Sequence, residues 1–313
     1  MLESYGLTKE AYRKLIENPK VKSSDIVRMV VMPKRVFRFR RFGTERDSTW
    51  KESNHWHEDE NGICLFSTPD NFNKNDDNDC KVYFDIETVF DYMFVRVSEP
   101  LNMHVNDNRI KILKESMKPE ITKYKESLQQ KMRVGCFTVS GPSDTEMWND
   151  PSFGDSGRGF CIEYRIDNEN FMPDGLAFLP VLYDDVPYDN TEAMKAIIDS
   201  KCNNNNGIAI DKAVCLGYGH TLIKPLRYEK ECEWRLVIPV RDDGAHKDFF
   251  NIDRESKRDM SSVMTAIYMG PNIAELSEYK KYRTAILEAG RRLNIPIYQM
   301  TKEKNMLINN LLK

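Results

Sequence analysis

The stretch Tyr228-Glu229-Lys230-Glu231-Cys232-Glu233-Trp234-Arg235-Leu236-Val237-Ile238 alternates in character and constrains the fold more than any other part of the chain. A period of two sends successive side chains to opposite faces of a strand. The pattern predicts a strand over residues 227–240. Glu229, Glu231, Glu233 and Arg235 take one face, and Cys232, Trp234, Leu236 and Ile238 the other. Carboxylates two residues apart on a strand sit about 7 Å from each other. They raise one another's pKa, and Arg235 offsets that repulsion. Two readings of this face stay open. It is a solvated salt-bridge ladder, or it is a site in which one Glu stabilises a cationic transition state while another activates a nucleophile.

A second alternating run, Val36-Phe37-Arg38-Phe39-Arg40-Arg41-Phe42, predicts a strand with Phe37 and Phe39 toward the core and Arg38 and Arg40 opposite. Its arginines read either as charge protecting an edge strand or as a clamp for phosphate, which guanidinium binds in a bidentate fork. Further strands are expected at 62–66, 134–140, 159–166, 177–183, 265–269 and 296–300. Thr8 is a candidate N-cap for a helix at Lys9–Glu17, and 109–132 is helical with Pro119 as a break or kink. Thr191–Cys202 is a further helix. Asn272, with Glu275 three residues on, is a capping box for a helix reaching Leu293, and 302–311 is a terminal helix. Helices and strands are interspersed without a βαβ rhythm. The expected fold is therefore α+β: one domain over 1–313, a twisted and possibly split mixed sheet flanked by helices.

Composition narrows the function by exclusion. In 313 residues, 46 basic and 49 acidic side chains give a formal charge of -3, which offers no general attraction to nucleic acid or anionic lipid. No secretory leader and no apolar run of membrane-spanning length is apparent, so the expected location is the cytoplasm, without a membrane partner. Seven cysteines without a C-x-x-C pair read as reduced, structural thiols. Glycine-rich phosphate loops are absent. The acidic run at 71–79 lacks the Gly and Glu positions of an EF-hand loop. His55 and His57 have no third ligand nearby in sequence, so no metal is expected. His104, His220 and His246 are isolated, with no nucleophile motif beside them. The loop from Trp148 through Phe153 and Arg158 leads into a strand and reads as one wall of a site or as aromatic packing over a sheet edge.

Taken together, these stretches resemble the large, mostly bacterial family called domain of unknown function 2971. The resemblance rests on Phe37-Arg38-Phe39-Arg40, the segment 62–73 (GICLFSTPDNFN), Cys136-Phe137, and Trp148 followed by Phe153-Gly154-Asp155 and Arg158-Gly159. It ends on Lys224, Tyr228, Glu231, Glu233 and Arg235, and covers residues 36–273, leaving 274–313 as a C-terminal extension. The chain departs from the family pattern where Asn73 is followed by Lys74-Asn75. Phe153 stands in place of Tyr, two residues further from Trp148, and Gly157 replaces a His.

The layout also resembles, more remotely, the ADP-ribosyltransferase superfamily. That resemblance implies an intracellular enzyme that uses NAD as substrate, such as a toxin or phage-defence effector. It implies a protein or nucleic-acid acceptor and an antitoxin or regulatory partner. Glu233 is then the main catalytic carboxylate, holding the ribose and stabilising the oxocarbenium ion, and Glu231 orients or activates the acceptor. Arg38 or Arg40 anchors the phosphates or ribose, Trp148 or Phe153 supplies a stacking surface, and Arg235 lies alongside. Two alternatives remain: a non-enzymatic nucleotide- or partner-binding module, and a metal-dependent nucleic-acid-processing enzyme.

Overall fold

The computed structural model describes residues 7–18, 23–42, 60–72, 79–98, 107–130, 132–166, 177–202, 219–239, 257–276, 279–303 and 306–312. Residues 43–59 with His55 and His57, His104, His246, and the Asn run at 203–206 lie outside the described residues, as does most of the acidic loop. The fold is α+β, with a large mixed sheet flanked by helices. The strands are β1 (Arg35–Arg40), β2 (Ile63–Leu65), β3 (Met132–Thr138), β4 (Phe160–Arg165), β5 (Ala177–Pro180), β6 (Leu182–Tyr183), β7 (Ile223–Lys224), β8 (Glu233–Pro239), β9 (Lys257–Asp259), β10 (Met264–Met269), β11 (Ile297–Glu303) and β12 (Met306–Leu311).

Eight of these form one sheet in the order β12-β11-β10-β4-β1-β3-β8-β5, antiparallel except for the β10–β11 pair. Strands β2 and β9 pair separately, as do β6 and β7. β1 is a central strand, not the charge-protected edge that its arginines suggested. It is buried from Val36 to Phe39 because both of its faces are covered.

One face carries Val36, Phe42, Phe137, Tyr164 and Trp234. It packs under the helices Lys9–Glu17, Ser23–Met29 and Tyr279–Leu293 through Tyr12, Ile16, Ile26 and Ile286. The other face carries Phe37, Phe39, Cys161 and Tyr268, covered by Met147 and Trp148 of the short helix Thr145–Asn149. Three further helices, Ile86–Ser98, Asp107–Gln130 and Thr191–Cys202, include residues of a separate small cluster containing Val89, Phe90, Ile121 and Met194.

The sheet is split at its centre. β1 shares six register pairs with β4, yet its register with β3 is the single pair Phe37–Thr138. Further along β3, Ser67 takes the vacated edge by exchanging both backbone hydrogen bonds with Val134, at 2.8 and 3.0 Å. The chain here passes from Cys64 and Phe66 in the main core to Phe72 beneath Arg235 on the opposite face.

Several sequence expectations need correction. Residues 227–231 are not strand: Leu226–Glu231 is a 3₁₀ turn, and β8 starts only at Glu233. The clean apolar alternation begins at Trp234; before it, Glu and Lys alternate with no core face to fix a strand register. Asn272 does not cap a helix through its side chain. Its amide donates instead to the Ser156 carbonyl, and the helix begins at Tyr279. In place of the terminal helix expected at 302–311, β11 and β12 pair antiparallel, because the free edge of β10 offers backbone pairing that overrides helix propensity. The helix Asp107–Gln130 runs unbroken through Pro119. The Thr8 cap is present, accepting from the Ala11 N–H at 3.1 Å.

Candidate functional site

A cavity of about 470 Å3 opens where β1 and β3 part. That volume suits a nucleotide-sized ligand, since ligand pockets run from about 300 to 1,000 Å3. Its walls include the aromatic residues Phe37, Phe39, Phe72, Phe137 and Phe153, the basic residues Arg38, Arg40 and Arg41, and a polar group of Lys224, Glu231 and Glu233.

The polar group is built by local backbone geometry. Pro225 starts the 3₁₀ turn, which ends at Cys232 in the left-handed region, φ 48 and ψ 46. Glu231 and Glu233 flank this residue, so the kink rather than a continuous strand aims both at one cation. The turn is pinned on both sides. The Thr138 hydroxyl donates to the Glu231 carbonyl at 2.6 Å, and the Glu233 N–H donates to the Tyr183 hydroxyl at 2.7 Å. Glu229, expected on the same face, is exposed and takes no part.

Lys224 bridges the two carboxylates, donating to Glu231 at 2.6 Å and to Glu233 at 3.1 Å. Its ammonium lies 4.8 Å from the centre of the Tyr228 ring. Behind Glu233, Arg235 donates to both carboxylate oxygens, at 2.8 and 3.3 Å. Arg235 also pairs with Asp79 at 2.8 Å, donates to the Cys80 sulfur and the Thr221 carbonyl, and lies over the Phe72 ring. All five charged groups are buried, from 0% exposure at Arg235 to 9% at Lys224. Of the two readings of this face, the solvated ladder does not hold; the charge cluster is interior.

Three carboxylates face two cations here. Burial opposes every charge, and the imbalance decides which carboxylate keeps a proton. For Glu233, burial pushes the pKa up, but Arg235, Lys224 and a hydrogen bond from Cys136 overturn it and hold the group at about 2. Glu231 rises to about 7: burial lifts it, Glu233 adds to the rise, and Lys224 only partly opposes it. Lys224 is lowered by burial, yet its two glutamates carry it above the ordinary lysine range. Two adjacent carboxylates are thus driven apart, one fixed as an anion and one able to exchange a proton near neutrality. That division of labour is what acid–base chemistry requires.

The cavity brings together Arg38, Arg40, Phe153, Glu231 and Glu233 of the expected site residues. Their orientations differ from expectation. Phe37, Thr138 and Glu233 share one face by register, so Arg38 and Arg40 belong to the opposite pleat. The Arg38 guanidinium lies over Phe137 and donates to the Cys64 sulfur and the Leu65 carbonyl. Arg41, one residue past the strand, falls on the Glu233 side and is exposed at the cavity.

Trp148 does not line the cavity. It is buried edge-on against Phe39, with ring centroids 4.9 Å apart, and its indole N–H is taken by the Pro142 carbonyl. Arg235 supports Glu233 from behind and presents no surface to a ligand. Among the residues that sequence reasoning left out of the site, Asp79 and Tyr183 carry no local pattern that marks them; Cys136 appeared only in the resemblance, and Arg41 only as one arginine of the alternating run. Lys224 appeared only as part of the family motif.

His220, in the 3₁₀ turn Gly219–Leu222, is fully enclosed near Arg235, and both of its ring nitrogens lack a hydrogen-bond partner among the described residues. Burial, followed by the Arg235 charge, lowers its pKa to about 3, so the ring is neutral. Among the described residues no helix is long and apolar enough to cross a membrane. No family model, curated protein or solved structure matches this chain.

Proposed function

We propose that the cavity at the sheet split is the site of an NAD-consuming, ADP-ribosyltransferase-like glycosyl transfer. The observation that supports it is the Glu231/Glu233 pair on the cavity wall, with one carboxylate held ionised at about 2 and the other lifted to about 7. In this reading Glu233 stabilises the oxocarbenium ion as nicotinamide leaves, and Glu231 takes the acceptor's proton. Phe153 offers the stacking surface in place of Trp148. The phosphates lie toward Arg41, since Arg38 is engaged on the other pleat. An intracellular toxin or phage-defence role, a macromolecular acceptor and an antitoxin partner rest on the sequence resemblance alone.

The test is nicotinamide release from NAD with protein, RNA and DNA acceptors, comparing the natural chain with Glu233→Gln. We expect release from the natural chain and a loss of about 100-fold or more in the variant, the size of effect seen when a transition-state charge partner is removed. Equal silence of both proteins across all acceptors overturns the reading.

One observation favours a second reading, a nucleotide-binding module without catalysis. The engagement of Arg38 by Cys64, Leu65 and Phe137 removes an anchor that the transferase needs. Thermal stabilisation by nucleotides that are recovered intact supports this alternative. A divalent-metal nuclease fits less well, because the Lys224 ammonium already fills the position between the two carboxylates.

A further inference from the structure

We propose that Lys224 is the positioning residue of this site, tying Glu231 and Glu233 into one acid–base pair and setting how readily Glu231 gives up its proton. This rests on the carboxylate pair being the working site and extends that reading to a residue that need not touch a substrate's reacting atoms.

The geometry carries the argument. Lys224 comes from β7, a different element from either glutamate, and its Nζ is the atom that contacts both carboxylates. Its position is fixed by more than those contacts. The strand pairing with β6 sets its backbone, the Tyr228 ring packs against its ammonium, and Asp79 lies 3.9 Å away.

The charges around Glu231 are asymmetric. Lys224 is its direct cation, at 2.6 Å. Glu233 faces it as a like charge, and Arg235 contributes from behind Glu233. Tyr183 is close enough to feel its charge. Arg38, Arg40 and Arg41 line the same cavity. Glu233, by contrast, has two cations in direct contact, Lys224 and Arg235. The shared lysine therefore gives Glu231 its ionised form near neutrality, while Arg235 helps keep Glu233 charged throughout the neutral range.

Removing the ammonium leaves Glu231 with a buried like charge and no direct partner. Its proton affinity rises, and the group becomes a fixed acid rather than an exchangeable one. Arginine at this position keeps the charge but presents a planar fork in place of a point donor, so the midpoint stays near that of the natural chain.

The experiment is a carboxyl-carbon NMR titration of protein labelled at the glutamate side chains. Glu231→Gln and Glu233→Gln assign the two resonances. We expect Glu231 to titrate near neutrality in the natural chain and to move up by at least about 1 pH unit in Lys224→Met, the size of shift produced by losing an opposite charge at contact distance. Lys224→Arg should stay within about half a unit.

A second variant covers the case in which Lys224→Met does not fold. Lys224→Met/Glu231→Gln removes one charge of each sign and so preserves the net charge of the cluster. There Glu233, left with Arg235 alone, should titrate at least about 1 unit higher than in Glu231→Gln. A Glu231 midpoint unchanged in Lys224→Met, or a Glu233 midpoint unchanged in the double variant, overturns the proposal. Because the titration uses no NAD, its outcome is independent of whether nicotinamide is released.

Discussion

Two buried carboxylates, Glu163 and Glu233, lie on the same face of the same sheet, and their surroundings are built differently. In register, Glu163 on β4, Phe37 on β1, Thr138 on β3 and Glu233 on β8 form one row across four strands. At one end, Glu163 accepts from the Thr265 hydroxyl at 2.8 Å and the Tyr268 hydroxyl at 2.7 Å, and it pairs with the exposed Arg35 at 3.3 Å. One anion meets one cation and two neutral donors, on an unbroken strand. At the other end, Asp79, Glu231 and Glu233 share Lys224 and Arg235 beside a cavity, across a left-handed kink. Burial of a carboxylate is common to both ends. A surplus of one sign next to open volume belongs to the second alone, and it is that surplus on which the proposed site rests.

The contrast can be broken most forcefully at the two arginines. Arg235→Met strands buried carboxylates and should destabilise the fold by about 3–5 kcal/mol, the usual result of removing one partner of a buried pair. Arg35→Met removes an exposed partner and should cost at most about 1 kcal/mol. Urea unfolding at neutral pH measures both; similar losses at the two sites would erase the distinction.

A smaller effect separates the glutamates by pH. The folded-state pKa of Glu231, about 7, exceeds its ordinary 4.5, so the folded protein holds that proton more tightly than the unfolded chain. Stability from this group is therefore greatest below about pH 4.5 and falls as pH rises toward 7. Glu233 has the opposite sign: its pKa of about 2 means stability present above 4.5 and lost as pH falls toward 2. Thermal unfolding of Glu231→Gln should lack the decline between pH 4.5 and 7 that the natural chain shows. Parallel profiles would remove Glu231 from its assigned role.

The smallest effect concerns backbone. Cys232 holds φ 48, a conformation that disfavours any residue with a side-chain carbon by about 1–2 kcal/mol. Cys232→Gly should raise the unfolding free energy by about 1 kcal/mol, less than the full strain because glycine loosens the unfolded chain. Chemical denaturation of this variant that shows a clear loss would mean the kink is not strained.

Sequence alternation located much of this architecture. Periodicity located β1 and, inside a longer expected strand, all of β8, because both alternate apolar with charged residues against a core, while β3 and β4 were expected within two residues as strands 134–140 and 159–166. It could not see that 226–231 turns. Distinguishing a turn from a strand in a run of Glu and Lys depends on Lys224 and Thr138, which arrive from other elements. The same limit hid the pleat of Arg38 relative to Glu233, since the relative facing of two strands is set by register and not by either sequence. Asp79 and Tyr183 contribute through tertiary contacts and have no local signature. The choice between Trp148 and Phe153 stayed open in sequence because an aromatic in a glycine-rich loop reads alike whether it walls a pocket or lies beneath one.

The wedge formed by Ser67 has a consequence for any ligand. The split between β1 and β3 is kept apart by main-chain hydrogen bonds at Val134, which every residue except proline at position 67 can supply. The cavity thus exists before anything binds, and entry requires no strand to be unzipped. Association is then spared most of the ordering entropy that an induced opening would impose. The affinity of any ligand taken there would then report the contacts made inside the cavity.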